Sequence, residues 1–213
     1  MSLADTLWRE NADLATAALE HPFVRGLADG SLPRDTFAGY VAQDAYFLES
    51  FARGYALALA HSPDRAGLEA FADLLAGVRE ELTLHASYAQ RLGVDLSAVT
   101  PAPATCAYTD FLLATAALGG AGLTCAAMTP CMRLYAHLGQ RLAGGSVAPD
   151  YADWVATYAD PGFESLAATL ERLLDTYLDD PARGRAAYRR AMRLELAFFD
   201  AAWSAGDQSC TVT

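Results

Sequence analysis

Signals for helix starts recur along the whole chain, whereas the alternation of apolar and polar residues that marks a strand is nearly absent. At three positions a serine or an aspartate stands directly before a proline. The polar side chain can accept a hydrogen bond from a free N–H of the first helical turn. Proline is tolerated in that turn, because the N–H that it lacks would have no partner within the helix. The pairs are Ser62-Pro63, Asp160-Pro161 and Asp180-Pro181. This pattern favours an all-α fold.

Apolar periodicity and these start signals divide the chain into about seven or eight helices. We predict helices over 3–20, 33–60, 63–92, 104–118, 121–143, 148–158, 161–178 and 181–204. Gly30 and Ser31 supply a turn and a cap before the second helix, and a Gly-Gly pair separates the fourth from the fifth. The sequence shows no shift in composition that would mark a domain boundary, and no internal repeat. We therefore expect one all-α domain, a helical bundle, over residues 1–213.

The composition excludes several classes of protein. The 213 residues are 53% hydrophobic and 19% charged, which is not the composition of a disordered chain. We expect no membrane span, and the start of the chain lacks the pattern of a secretory signal, so we expect a cytoplasmic protein. A net charge of −11 would repel phosphate backbones, so nucleic acid is not an expected partner. The four cysteines form no C-x-x-C pair, which is typical of a reducing compartment.

One carboxylate lies on an aromatic stripe of the second predicted helix. The spacing of Asp44, Phe47, Leu48, Phe51 and Tyr55 follows the helical period, so they share one face. A buried carboxylate needs a hydrogen bond, an ion pair or a proton, because desolvating it alone costs several kcal/mol. Asp44 is therefore either a hydrogen-bond partner between helices or a group that binds a ligand.

The last predicted helix repeats this arrangement. Glu195 shares a face with Phe198, Phe199 and Ala202. Two such acids in one domain indicate a polar pocket within an apolar bundle, which is the usual composition of a small-molecule site. The alternative is that Glu195 pairs at the surface with Arg193 or with an arginine of a neighbouring helix.

A cysteine follows a proline inside an apolar helix, in the segment CAAMTPCMRLYAHLG. Pro130 removes a backbone N–H and crowds the preceding turn, so we expect a kink with carbonyl groups open to polar partners. Leu134 and Tyr135 lie one turn beyond Cys131 on the same face. A single cysteine on an apolar helix is most often an inert core residue. We expect Cys125 to be such a core residue. Cys131 is either a core residue or a nucleophile.

Metal-binding patterns are weak in this chain. The most suggestive pair is Glu81 and His85, one turn apart in EELTLHASY, and no E-x-x-H or H-E-x-x-H motif is present. We expect no metal and no cofactor, with this pair serving as an ion pair or a supporting contact. His21, His61 and His137 are expected at helix ends or at the surface.

Five segments of the chain occur in the order and at the separations of one known family. They are HPFVRGLADGSLPRDTFAGYVAQDAYFLESFARGYALALAHSPD, EELTLHASYAQRLGVD, AMTPCMRLYAHLGQRL, YADWVATYAD and RLELAFFDAAW. Together they resemble the TenA family, also called thiaminase II or aminopyrimidine aminohydrolase. The resemblance covers residues 5–203 and leaves 204–213 as a short tail. It implies an all-helical, haem-oxygenase-like fold that assembles as a homotetramer.

The resemblance also implies an activity in thiamin salvage. The family cleaves the substituent from the methylene carbon on C5 of a 4-amino-2-methylpyrimidine, releasing the thiazole of thiamin or ammonia from its breakdown product. By this resemblance Cys131 is the nucleophile and Glu195 is the acid and base. The implied substrate-binding residues are Asp44, Phe47, Tyr108, Tyr135, Tyr158 and Phe198.

The chain departs from the family pattern at one position. The family commonly has tyrosine where this chain has Phe47, and Tyr46 falls on a different helix face. The lost hydroxyl would bond near the cysteine or the substrate, so the departure predicts reduced activity or an altered substrate. Two other functions remain as alternatives. One is a cofactor-processing oxidase on the same fold, and the other is a non-catalytic protein that binds a pyrimidine or acts in regulation.

Overall fold

The computed structural model describes residues 2–209. Within these residues it contains nine α-helices, two short 3₁₀ turns and no strand, so the predicted all-α class is confirmed. The helices are α1 (Leu3–Glu10), α2 (Ala12–Glu20), α3 (Pro22–Asp29), α4 (Arg34–Ala60), α5 (Arg65–Leu92), α6 (Pro103–Ala143), α7 (Ala152–Ala159), α8 (Pro161–Tyr177) and α9 (Pro181–Ser209). The 3₁₀ turns are Leu96–Ala98 and Pro149–Tyr151. Helix α9 thus continues past its predicted end at 204. Cys210 and the end of the predicted tail lie outside the described residues.

The helix caps agree with the sequence at two of the four predicted positions. The cap predicted at Ser31 is wrong, because α4 begins at Arg34 and follows Pro33 without a side-chain cap. Asp160 and Asp180 accept hydrogen bonds from the first turns of α8 and α9, as predicted. The start predicted at Ser62 is wrong, because Asp64 is the cap of α5 and accepts a hydrogen bond from the Gly67 N–H at 2.8 Å. The Ser62 hydroxyl instead donates to a carbonyl oxygen of α4.

The N-terminal part of the chain differs most from the prediction. The segment predicted as one helix over 3–20 is two helices that meet at Asn11, where φ is −112° and ψ is 16°. The buried Asn11 side chain donates to the Leu7 carbonyl oxygen at 2.8 Å, and this competition for backbone groups ends the helix. Helix α3 is absent from the sequence prediction. Its signals are Pro22 in the first turn and Gly30 with φ 82° after the end.

Helix α6 breaks at the Gly-Gly pair, as predicted. Gly120 has φ 71° and ψ 180°, a conformation that glycine adopts without a steric cost, and the backbone is helical on both sides. The backbone angles stay helical through Pro130, so the kink predicted there is not present as a change in φ and ψ. The turn that carries Cys131 is therefore a continuous helical turn.

Helix α6 is the part of the structure that bears on the expectation about membrane spans. Residues 111–132 carry no charged side chain, and by length and composition this one helix of the described chain could cross a bilayer. More than half of its most apolar stretch is buried within the fold, where α6 packs against α4, α7, α8 and α9. The central helix of a bundle has this composition because it is surrounded by apolar neighbours.

The buried side chains form one contiguous cluster around α6. Its largest fully buried members are aromatic and include Trp154, Tyr40, Tyr55 and Tyr108. Burying a side chain of this size contributes roughly 1.5–3 kcal/mol, so these rings are a main source of stability.

Helices α6 and α7 approach each other closely at a glycine. A Cβ on Gly139 would lie 2.4 Å from the backbone carbonyl carbon of Tyr158, which no real side chain allows. Gly139 therefore lets α7 reach the surface of α6, and this contact sets the position of Tyr158.

Candidate active site

A small cavity lies between helices α4, α5, α6, α7 and α8. Its lining residues are Asp44, Phe47, Leu48, Phe51, Glu81, Cys131, Met132, Tyr135, Tyr158 and Phe163. Its free space is enough for about one water molecule. The structure therefore brings several of the predicted residues together, and a pyrimidine ring can enter only when lining side chains move. The predicted residues at this cavity are Asp44, Phe47, Cys131, Tyr135 and Tyr158.

Cys131 faces the cavity from α6. Its side chain keeps some accessible surface there, although it lies deep among protein atoms. Burial raises the pKa of the thiol well above its usual value, and the nearby carboxyl groups of Glu195, Glu81 and Asp44 raise it further. Among these three carboxyl groups, Glu195 has the largest effect on the thiol. Cys131 is thus a thiol at rest that feels the carboxyl group of Glu195, whereas Cys125 is fully buried and does not line the cavity.

Glu195 of α9 is buried, so the alternative of a surface pair with Arg193 is wrong. Its Oε1 accepts a hydrogen bond from the Tyr108 hydroxyl at 2.5 Å. Burial raises the pKa of Glu195 to about 8, the charge of Asp44 adds to the rise, and the hydrogen bonds from Tyr108 and Cys131 oppose it. A carboxyl group that titrates near neutral pH can both accept a proton and return it.

Asp44 is paired with a residue of the next helix. Asp44 Oδ2 and His85 Nε2 lie 2.7 Å apart, and both side chains are almost fully buried. The other ring nitrogen, Nδ1, lies 3.0 Å from the carbonyl oxygen of Glu81. Both nitrogens thus face acceptor oxygen atoms, which favours a proton on each and a cationic ring. Burial lowers the pKa of His85, but the charge and hydrogen bond of Asp44 outweigh it and raise the pKa to about 9.

One of the two roles that the sequence allows for Asp44 is a hydrogen bond between helices, and that bond is present. It occupies only one carboxylate oxygen. The other, Oδ1, accepts no hydrogen bond from the described residues, and Asp44 lines the cavity. Asp44 can thus hold His85 with one oxygen and a ligand with the other.

Tyr158 and Tyr135 complete the polar part of the lining. The Tyr158 hydroxyl donates to Oε1 of Glu81 at 2.6 Å. The Tyr40 hydroxyl donates to the Tyr135 hydroxyl at 3.1 Å, and the Trp154 indole N–H donates to Tyr40 at 3.4 Å. Burial raises the pKa of both lining phenols well above the usual value, so both stay protonated. These hydrogen bonds hold the hydroxyl groups of Tyr158 and Tyr135 in place.

Aromatic rings form the apolar side of the site. The ring of Phe47 lies 4.8 Å from the ring of Tyr108 and 6.0 Å from that of Phe198, measured between centroids. Phe198 packs behind Phe47 and lines a separate surface depression beside the start of α6. Tyr46 is 37% exposed, as its different helix face predicts.

The remaining histidines lie away from the cavity. His21 and His61 are at helix ends, as predicted. His137 lies in the last two turns of α6, half-buried, with its ring 5.4 Å from the ring of Trp8. Within residues 2–209, no group of three or more His, Cys, Asp or Glu residues is arranged to hold a metal ion.

The sequence does not predict the partners of two residues at this site, Glu81 and His85. It singles out Glu81 and His85 as neighbours on one helix, yet His85 bonds to Asp44 and Glu81 bonds to Tyr158. Both partners lie on other helices, so no local spacing marks these pairs. The one signal in the sequence is the helical spacing, which places a polar residue on an otherwise apolar face of its helix.

Comparison with known proteins matches residues 8–205 to the model of the TENA/THI-4/PQQC family. The aminopyrimidine aminohydrolase of Halalkalibacterium halodurans is 34% identical over 96% of this chain and 96% of its own. A TenA family transcription regulator from Silicibacter superposes with a TM-score of 0.88 at 27% identity, covering 94% of this chain and 96% of that chain. A Shewanella denitrificans domain of unknown function with a haem-oxygenase-like fold has a TM-score of 0.74 at 15% identity, covering 97% and 94%. The predicted haem-oxygenase-like fold is thereby confirmed.

Proposed function

Because the chain belongs to the TENA/THI-4/PQQC family, we propose that it is an aminopyrimidine aminohydrolase of the thiaminase II type. The resemblance to the TenA family seen in the sequence is confirmed by that membership. The observation that carries the proposal is the placement of Cys131 at the cavity wall, with the buried carboxyl group of Glu195 acting on its thiol. A thiol beside a carboxyl group that titrates near neutral pH is a nucleophile with its own base.

The substrate we propose is a 4-amino-2-methylpyrimidine with an amine or a thiazolium on the C5 methylene. Asp44 Oδ1 would accept a hydrogen bond from the amino-pyrimidine edge and favour a protonated ring. Phe47 and Tyr135 would contact the ring faces, since flat rings pack well against aromatic side chains. The hydroxyl groups of Tyr135 and Tyr158 supply further polar contacts.

The first half of the reaction makes the covalent intermediate. A cationic ring next to Cys131 lowers the pKa of the thiol, because an opposite charge favours the thiolate. Glu195 accepts the thiol proton, and Sγ forms a bond to a ring carbon. The electron pair of the attack moves through the ring and breaks the bond between the C5 methylene and its substituent. The substituent leaves with that bonding pair as a neutral amine or thiazole, and the proton on Glu195 then passes to the released amine or to solvent.

The second half returns the enzyme to its starting state. Glu195, now a carboxylate, accepts a proton from water as the hydroxide adds to the exocyclic methylene carbon. The electrons move back through the ring and expel Cys131 as a thiolate, which recovers its proton from Glu195. The products are the hydroxymethylpyrimidine and the free amine, so one water is consumed for each amine released.

The test is the variant Cys131→Ser, with Cys125→Ser as its matched control. Serine is nearly isosteric but a far weaker nucleophile at neutral pH, so we expect hydrolysis to be lost while pyrimidine binding persists. Cys125→Ser should keep the chemistry. Turnover is measured with thiamin and with 4-amino-5-aminomethyl-2-methylpyrimidine, which also identifies the better substrate. Full turnover by Cys131→Ser would refute the covalent mechanism, and binding without turnover by the wild-type chain would favour a regulatory role instead.

The setting of this activity follows from the family resemblance. We propose that the chain acts as a single domain, assembles as a homotetramer, and works in the cytoplasm in thiamin salvage. No metal or cofactor enters any step of the proposed mechanism.

A further inference from the structure

The buried cavity is separated from a larger surface groove by three side chains. The groove has a volume of about 550 Å³ and lies between α5, α7 and α8. Glu81, Met132 and Phe163 line both the groove and the cavity. Met132 is flexible, and Phe163 is only partly buried, so these two side chains can move apart at low cost. The groove is therefore a short route from solvent to Cys131.

The groove has an acidic wall. Its acidic residues are Asp73, Glu80, Glu81 and Asp160. None of the described residues that line it is a lysine or an arginine. Exposed charges are screened by salt, so most of these acids contribute little to binding. Glu81 differs from the other three because it also lines the inner cavity.

Glu81 has one carboxylate oxygen available. Oε1 accepts the hydrogen bond from Tyr158, and Oε2 accepts none from the described residues. Burial raises the pKa of Glu81 to about 7, with Asp44 adding to the rise and the charge of His85 and the Tyr158 bond opposing it. Glu81 is thus mostly ionised at pH 8, with an oxygen placed where the cavity meets the groove.

We propose that Glu81 selects substrates whose C5 substituent is a cation, by pairing its free oxygen with that substituent. This inference rests on the proposed function. A pyrimidine ring held between Asp44 and Cys131 fills the inner cavity, which has no room left for a thiazolium or an ammonium group. The groove has that room, so the substituent extends past Glu81 into it. The same position lets the amine leave directly toward solvent after the bond breaks.

The experiment compares a cationic and a neutral ligand of the same pyrimidine. It uses the full chain with Cys131→Ser, so that no substrate is consumed, and isothermal titration calorimetry at pH 8. Thiamin carries a permanent positive charge, whereas 4-amino-5-hydroxymethyl-2-methylpyrimidine is neutral at its substituent. Adding Glu81→Gln keeps an acceptor for Tyr158 and removes only the charge. We expect the affinity for thiamin to fall about tenfold or more and that for the alcohol to stay within about twofold.

The matched control is Glu69→Gln in the same background. It makes the same change of charge on the same helix, but Glu69 is exposed, pairs with Arg65 and does not line the groove. Neither ligand should bind differently to it. Equal losses for both ligands in the Glu81 variant, or no loss for either, would overturn the inference and leave the proposed function intact. Failure of both ligands to bind the Cys131→Ser chain would overturn the proposed function, and the inference with it.

Discussion

The pair formed by Asp44 and His85 makes a sharp prediction for the variant His85→Gln. The substitution removes the cation that faces Asp44 and leaves a side chain of similar length. The two side chains are 5% and 1% exposed, so solvent does not screen the interaction. Breaking a buried ion pair by removing one partner costs on the order of 3–5 kcal/mol, because the remaining charge stays buried without compensation.

The raised pKa of His85 gives the net effect of the fold on this ring, in which the charge and hydrogen bond of Asp44 outweigh burial. It rises from 6.5 to about 9 in the folded protein. At about 1.4 kcal/mol for each pH unit, this difference corresponds to roughly 3 kcal/mol. For a chain of this length, that is a loss of roughly 6–12 °C in Tm for the variant at pH 6.

The sign of the pH dependence follows from the direction of the shift. A group whose pKa is higher in the folded state stabilises the protein fully below its unfolded pKa and loses that effect as pH rises through its folded pKa. The stabilisation from His85 is therefore complete below about pH 6.5 and is lost as pH passes about 9. The difference in Tm between wild type and His85→Gln should be largest at pH 6 and shrink above pH 9.

Thermal melts followed by circular dichroism at pH 6, 7.5 and 9.5 test this reasoning. His137→Gln is the matched control, because burial lowers the pKa of His137 and no carboxylate among the described residues pairs with it. A second readout is pyrimidine affinity at pH 7.5, which should fall in His85→Gln because Asp44 loses its fixed orientation. A Tm difference that stays constant from pH 6 to 9.5 would show that His85 packs as a neutral ring, and the charge argument would be refuted.

Three further predictions follow from the site, the glycine contact and the family. Phe47→Tyr should raise kcat/KM roughly tenfold to a hundredfold if the new hydroxyl bonds to the thiolate, whereas a lower Tm with no gain in steady-state rate would mean that Phe47 belongs to a differently shaped cavity. Gly139→Ala should lower stability by about 1–3 kcal/mol in denaturant titrations and reduce turnover by displacing Tyr158, while Gly145→Ala, where a Cβ meets no atom closer than 3.6 Å, should retain the turnover of wild type. Light scattering should give a homotetramer, and a monomer at micromolar concentration would contradict the family-based assembly.

The sequence predicts those features that depend on neighbouring residues. Asp160 and Asp180 cap their helices because a side chain reaches the N–H groups two or three residues ahead, and Gly120 breaks α6 through its own backbone freedom. The helical period places Asp44 and Glu195 each on an apolar stripe of its helix, so the burial of both acids could be expected. Asn11 shows the limit of this reasoning, since a residue compatible with a helix ends one when its side chain bonds to the backbone.

Only the tertiary structure decides how these acids are partnered. Asp44 bonds to His85 on the next helix, and Glu195 bonds to Tyr108 on a helix far away in sequence. These pairings depend on the angle and distance at which helices pack, which no local pattern records. The protonation of the site depends on them as well, because desolvation and opposing charges act through space. The sequence by itself therefore determines that two buried carboxyl groups need partners, and the packing of α4, α5, α6 and α9 determines that one partner is a cation and the other a tyrosine hydroxyl.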